Sequence, residues 1–161
     1  MKKNKTNALR LLDQAKIHYE VQEYEYDEDH LSGEHVLQQV GLSKEEVYKT
    51  LVLKGNQDYL VCCIPVLDEI DLKKLAKVSH HKSVEMVHQK DLLGLTGYMR
   101  GGCSPIGMKK KLMTYIQEDV QQQDKVAVSA GKRGLQVILA PLDLVKVTHA
   151  ICVDVIRSTD E

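Results

Sequence analysis

The sequence predicts a mixed α/β domain, α+β-like in order, with a mostly antiparallel sheet flanked by short helices. Three observations carry this. Strand-like runs dominate the middle and end of the chain. Helical periodicity is confined to the front and to brief insertions. A length of 161 residues suffices for one buried core and leaves no room for a second. The whole of 1–161 is therefore expected to form a single domain. With 43% hydrophobic residues, 28% charged and three prolines, the composition is that of a folded chain rather than a disordered one.

Thr6 is placed to cap a first helix, whose Ala8, Leu11, Leu12 and Ala15 recur at helical spacing. "HYEVQEYEYD" (18–27) alternates as a strand does. Ser32 can cap a short helix through Val36, Leu37 and Val40, ended by Gly41, which takes a left-handed conformation without a Cβ clash. "SKEE" (43–46) fits a capping box and leads into a strand. Residues 47–64 read as a hairpin with Gly55-Asn56 at its turn, and the second run, apolar on both faces, belongs inside a sheet. Asp71 caps "LKKLAKVS", "SVEMV" (83–87) is a short strand and "KDLLGLTG" (90–97) a brief helix. A glycine-rich loop, 96–111, precedes the strands "LMTYI", "KVAVS" and "LQVILA", the last two joined by "SAGKRG" (129–134). Pro141 and Asp143 begin a final helix, and "ICVDVI" (151–156) closes the chain as a strand.

Several function classes are excluded or disfavoured at this level. The charged start runs into an amphipathic stretch with no apolar segment of a secretion signal, and no apolar run approaches the roughly 18 to 20 residues of a membrane span. A cytoplasmic protein is expected, with no membrane partner. Four scattered cysteines do not make a disulfide framework. The histidines and cysteines show no ligand spacing for a metal, and no cofactor is expected. A formal net charge of −1 argues against a protein that coats nucleic acid, while leaving room for a small local contact.

The candidate chemistry lies in three places. "TGYMRGGCSPIGMKK" (96–110) misses a phosphate-binding P-loop and a nucleophile elbow by one position each. Its Gly101, Gly102 and Gly107 permit close backbone approach to a carbonyl or oxyanion, with a tight structural turn as the plain alternative. "SAGKRG" is a glycine-bracketed turn carrying two cations, which a charged hairpin connection also explains. Lys49, in the strand "VYKTLVL", shares a face with Val47, Leu51 and Leu53. It either snorkels at an edge strand or stands as a fixed cation at a pocket floor; residue physics leaves both open.

Taken together, "VYKTLVL", "IDLKKLAK", "VEMV", "TGYMRGGCSPIGMKKK" and "VSAGKRGLQVILAPLDL" resemble the successive motifs of the YbaK/EbsC family of aminoacyl-tRNA deacylases, relatives of the editing domain of prolyl-tRNA synthetase. The resemblance runs from about Thr6 to Ile156. It implies a convoluted, largely antiparallel sheet and a cleft for the aminoacylated 3′ end of tRNA. The implied activity is clearance of cysteine from mischarged tRNA(Pro), with tRNA(Cys) as a further substrate and prolyl-tRNA synthetase as partner. It also implies roles for residues: Lys49, Gly101 and Gly102 at the reacting ester, and Tyr24, Ser32, Gly33, Ser104, Pro105, Gly107, Ser129, Gly131, Lys132, Arg133 and Asp143 around the substrate. Where that family carries Phe-Gly, this chain has Ser32-Gly33 and no phenylalanine at all, which opens the question of amino-acid selectivity.

An aminoacyl ester is already activated, so no potent protein nucleophile is required. In the mechanism the resemblance implies, the substrate thiol attacks its own ester and the protein positions and polarises. Two alternatives share the fold: a water-dependent deacylase for another amino acid, such as alanine on tRNA(Pro), and a non-enzymatic binding protein.

Overall fold

Two sheets form where the sequence predicts one. The computed structural model describes residues 5–26 and 33–158, the side chains of residues 33 and 34 excepted. In chain order these hold α1 (Asn7–Gln14), β1 (Tyr19–Glu23), α2 (Gly33–Val40), β2 (Tyr48–Lys54), β3 (Tyr59–Pro65), α3 (Leu72–Val78), β4 (Glu85–Met86), α4 (Gln89–Thr96), β5 (Met113–Gln117), a 3-10 helix (Glu118–Gln122), β6 (Val126–Ser129), β7 (Leu135–Leu139), α5 (Pro141–Thr148) and β8 (Ile151–Val153). The smaller sheet, ordered β1-β7-β6, is antiparallel throughout. The larger, ordered β4-β2-β3-β5-β8, is antiparallel around β2 and parallel where β5 joins β3 and β8. Parallel pairing follows from the long connections between those strands, since a tight turn can only return the chain antiparallel.

Local signals explain most elements. The Thr6 hydroxyl accepts the Leu9 N–H at 3.2 Å, capping α1, and donates to the carbonyl of Ala130, tying the helix to the small sheet. Asp71 accepts the N–H groups of Lys73 and Lys74 and caps α3. Gly97, at φ 83°, ends α4. At 43–46 the expected capping box makes a turn: Ser43 donates to the Glu46 carboxylate from both its backbone N–H and its hydroxyl. β3 lies central in its sheet as its apolar sequence predicts, with Leu60 to Pro65 all buried. The predicted strands at 83–87 and 151–156 are shorter than expected, reduced to Glu85–Met86 and Ile151–Val153. Ser32, the expected cap of α2, lies outside the described residues.

The two sheets share a core, in which Val61, Cys63 and Ile116 of the larger pack with Val126, Val128 and Val137 of the smaller. Val47, just before β2, and Ala127 of β6 form a single parallel bridge between them, packed with Tyr24, Val36, Val66 and Ile138 in a further apolar cluster. β4 pairs only with Leu53 and Lys54 and β6 meets the chain only at Val47, so among the described residues the stretch of β2 from Lys49 to Leu51 has no strand paired on its outer side. No helix of the described residues is long and apolar enough to cross a membrane.

Candidate active site

A cavity of about 310 Å³ lies beside the Val47–Ala127 bridge, where both sheets contribute to its lining. The outer edge of β2 forms one wall, with Tyr48, Lys49, Thr50 and Leu51, while Arg100, Gly101 and Cys103 face it. Tyr24, Ser129 and Gln136 close it from the smaller sheet. Backbone alternation aims further groups inward. Val66 donates to the Val47 carbonyl from the β3 side, and Val87 donates to Val52 from the opposite side. The backbone groups of Tyr48 and Thr50 therefore point away from β3, those of Tyr48 toward β6 and those of Thr50 toward the cavity.

Lys49 is half-buried in this wall. Burial lowers its pKa, partly offset by the negative charges of Asp68 and Glu69. Among the described residues no carboxylate lies within ion-pair distance of its ammonium. β2 is an edge strand along this stretch, as one of the two sequence readings requires, but its lysine lines an enclosed space rather than a bare sheet edge.

The opposing wall is a loop held at several points. The Tyr98 hydroxyl donates to the Ile106 carbonyl at 2.6 Å, and Ser104, fully buried, accepts the Ile106 N–H at 3.2 Å. Gly101 adopts φ 85°, in the left-handed region that favours glycine. Gly102 has no side chain because there is no room for one. A Cβ there would come within 2.7 Å of the Arg133 nitrogen and the Lys132 carbonyl carbon. The "GKRG" turn is thus the platform on which this loop rests, and the Arg133 Nε donates to the Arg100 carbonyl at 2.7 Å to fasten it.

The structure separates the sequence-predicted residues into groups. Lys49, Tyr24, Gly101 and Ser129 line the cavity together. Gly102, Gly131, Lys132 and Arg133 do not line it; through the close Gly102 contact and the Arg133 hydrogen bond they support the loop that does. Ser104 is consumed in the loop's own hydrogen bonding. Pro105, Gly107 and Asp143 line a different hollow, on the far end of the loop. Gly33 starts α2; Ser32 is outside the described residues. Sequence reasoning missed Thr50, Arg100 and Gln136. Gln136 is a polar residue in an otherwise apolar strand, "LQVIL", and that was its available signal. It is 5% exposed and its carbonyl oxygen has no hydrogen-bond partner among the described residues.

The cavity is equipped to hold and polarise. Burial pushes the Cys103 thiol up to about 11, so it is protonated at neutral pH and a poor nucleophile. The Thr50 hydroxyl sits 3.8 Å from the Cys63 sulfur, and among the described residues no histidine, aspartate or glutamate lines the cavity to activate it. What remains is a fixed cation, edge-strand backbone groups and small polar side chains around a space of substrate size.

Residues 28–147 match the model of the aminoacyl-tRNA editing domain. The chain is 51% identical over 146 residues to EbsC of Enterococcus faecalis, a protein named for Cys-tRNA(Pro)/Cys-tRNA(Cys) deacylation, across 90% of this chain and 89% of that one. It is 24% identical over 99 residues to the proline–tRNA ligase of Staphylococcus aureus, a match to 62% of this chain and 17% of the ligase. Among solved structures, one described as a trans-editing enzyme for prolyl-tRNA synthetase superposes with a TM-score of 0.83 at 21% identity, over 97% of this chain and 100% of that one, a likeness of fold.

Proposed function

Because the chain belongs to the aminoacyl-tRNA editing domain family, we propose that it is an aminoacyl-tRNA deacylase that clears cysteine from mischarged Cys-tRNA(Pro), and from Cys-tRNA(Cys), in the cytoplasm beside prolyl-tRNA synthetase. One observation supports this above the others: a half-buried lysine set across a cavity from a glycine-rich loop, with neither a carboxylate partner nor an activated nucleophile beside it among the described residues.

In this reading Lys49 attracts the electron-rich ester end of the tRNA, and the backbone around Gly101 or Thr50 holds the carbonyl. The substrate thiol attacks that carbonyl. A carbon–sulfur bond forms, the carbon–oxygen bond to ribose breaks, and the thiol proton passes to the departing ribose oxygen. Cysteine leaves as its thiolactone, which water opens. The thiol is already tethered to its ester, so the protein's contribution is to hold the two in a reactive orientation and polarise the carbonyl. Tyr24, Ser129 and Gln136 bound the space for the amino acid. Gly102, Gly131, Lys132 and Arg133 act through loop position rather than by contact.

Release of cysteine from Cys-tRNA(Pro) by wild type and Lys49→Ala tests the reading. Loss in the variant supports it, and equal rates would remove Lys49 from the mechanism. Comparable release of alanine from Ala-tRNA(Pro) would instead favour attack by water.

A further inference from the structure

A second hollow, of about 620 Å³, lies at the far end of the loop that walls the cavity: Gly101 and Cys103 line the cavity, and Pro105 and Gly107 line the hollow. Gly107 follows Cys103 by four residue steps, a span of at most about 14 Å. Lys16, Lys110, Lys111, Lys146 and His149 stand around the hollow, all exposed, with Asp143 the only acid among the described residues that line it. In a chain whose formal net charge is −1, this is a concentrated positive site. Among the described residues no carboxylate is within ion-pair distance of any of the four lysines.

Two bland explanations fall short. Cations favour helix C-termini, which accounts for Lys16, Lys146 and His149 at the ends of α1 and α5 but not for Lys110 and Lys111, which reach the hollow from a loop. Solvated decoration does not explain the backbone either. Only three non-glycine residues among those described have positive φ, and two of them, Lys16 at 59° and His149 at 54°, are on this rim. Glycine would take that conformation more readily, yet both positions carry basic side chains.

We propose that this basic hollow binds phosphates of the acceptor end of the tRNA whose aminoacyl ester occupies the Lys49 cavity. This rests on the deacylase reading and locates the grip on the nucleic acid that a near-neutral protein otherwise lacks. The loop 101–107 would then lie under the terminal nucleotides, between ester and phosphate sites. An acidic protein surface is the competing occupant, and it carries no requirement for a site adjoining the cavity.

The test is binding of deacylated tRNA(Pro) over a series of salt concentrations, for wild type and a Lys110→Ala/Lys111→Ala/Lys146→Ala variant. Affinity is expected to fall about tenfold at low salt, and the slope of log affinity against log salt to shrink by roughly two, as for loss of three phosphate contacts to a single strand. KM for Cys-tRNA(Pro) should rise in step with kcat unchanged, while release of cysteine from 3′-cysteinyl adenosine stays at the wild-type rate. His149→Gly should match or exceed wild type in thermal stability and still weaken tRNA binding, which a purely structural histidine would not do. Unchanged tRNA affinity and salt slope in the triple variant would overturn the proposal and leave an acidic protein partner as the occupant. Failure of wild type to release cysteine from either ester would overturn the deacylase reading instead, with the binding titration still deciding the surface.

Discussion

Burial lowers the pKa of Lys49 from the ordinary 10.5, and the sign of two pH effects follows. If the ammonium holds the tRNA end, deacylation by wild type should fall on the alkaline side at a pH below 10.5. In the unfolded chain the same lysine keeps its proton up to 10.5. Between the lowered value and 10.5 the unfolded state therefore binds more protons, and this residue makes folding stability rise with pH. Activity and the Lys49 share of stability should move in opposite directions there, which a pH–rate profile and denaturant titrations of wild type and Lys49→Met would show. Cys103 supplies a second test at this scale. With its thiol pushed up to about 11, it should resist iodoacetamide at neutral pH and react only under strongly alkaline conditions, as followed by mass spectrometry of its peptide; rapid alkylation at pH 7 would reopen it as a nucleophile. Sequence alone could not choose between the two readings of Lys49, because strand periodicity tells which face a residue is on but not what lies opposite. Thr50 was missed for a related reason: along a free strand edge, side chains of both faces and the backbone border the same space.

The loop 100–107 and the turn 131–134 behave as one element in two pieces. Gly102→Ala places a methyl group against backbone, within 2.7 Å of Arg133 and Lys132, and backbone cannot rotate aside as a side chain can. The expected cost is about 1 to 3 kcal/mol of stability, measured in urea, and deacylation should fall further than unfolding explains because Gly101 and Cys103 shift with the loop. Full activity in a stably folded Gly102→Ala protein would show the docking to be dispensable. Thr6→Ala removes the cap of α1 and its tether to Ala130, and should cost about 1 kcal/mol with little effect on catalysis, since Thr6 does not line the cavity. Helices announced themselves through such caps, and Asp71, Gly97 and Pro141 mark boundaries readable in the sequence. The placing of loop on turn was not readable. It depends on a contact between residues about thirty apart in the chain, and glycine at 102 looks the same whether it serves a bend or a close approach.

At the scale of the molecule, function follows from two sheets bridged at Val47 and Ala127 that leave the edge of β2 unpaired beyond the bridge. The sequence predicted strands and a largely antiparallel arrangement, and the antiparallel ladders are there. The split into two sheets and the parallel docking of β5 and β8 were not legible, because strand order is set by long-range packing that local alternation does not encode. That split is what opens the cavity and gathers Tyr24, Lys49, Gly101, Ser129 and Gln136 from five separate segments. It also places Pro105, Gly107 and Asp143, read in the sequence as part of one substrate site, on a second hollow with its own charge. The central claim is that this cavity orients an ester for attack by the substrate's own thiol, with Lys49 as the fixed cation. The most direct test is single-turnover release of amino acid from Cys-tRNA(Pro) and Ala-tRNA(Pro), by wild type and Lys49→Ala in parallel. The account predicts rapid release of cysteine by wild type, alanine left on its tRNA, and a drop in cysteine release of about a hundredfold or more in the variant. Alanine released as fast as cysteine, or cysteine released by Lys49→Ala at the wild-type rate, would contradict it.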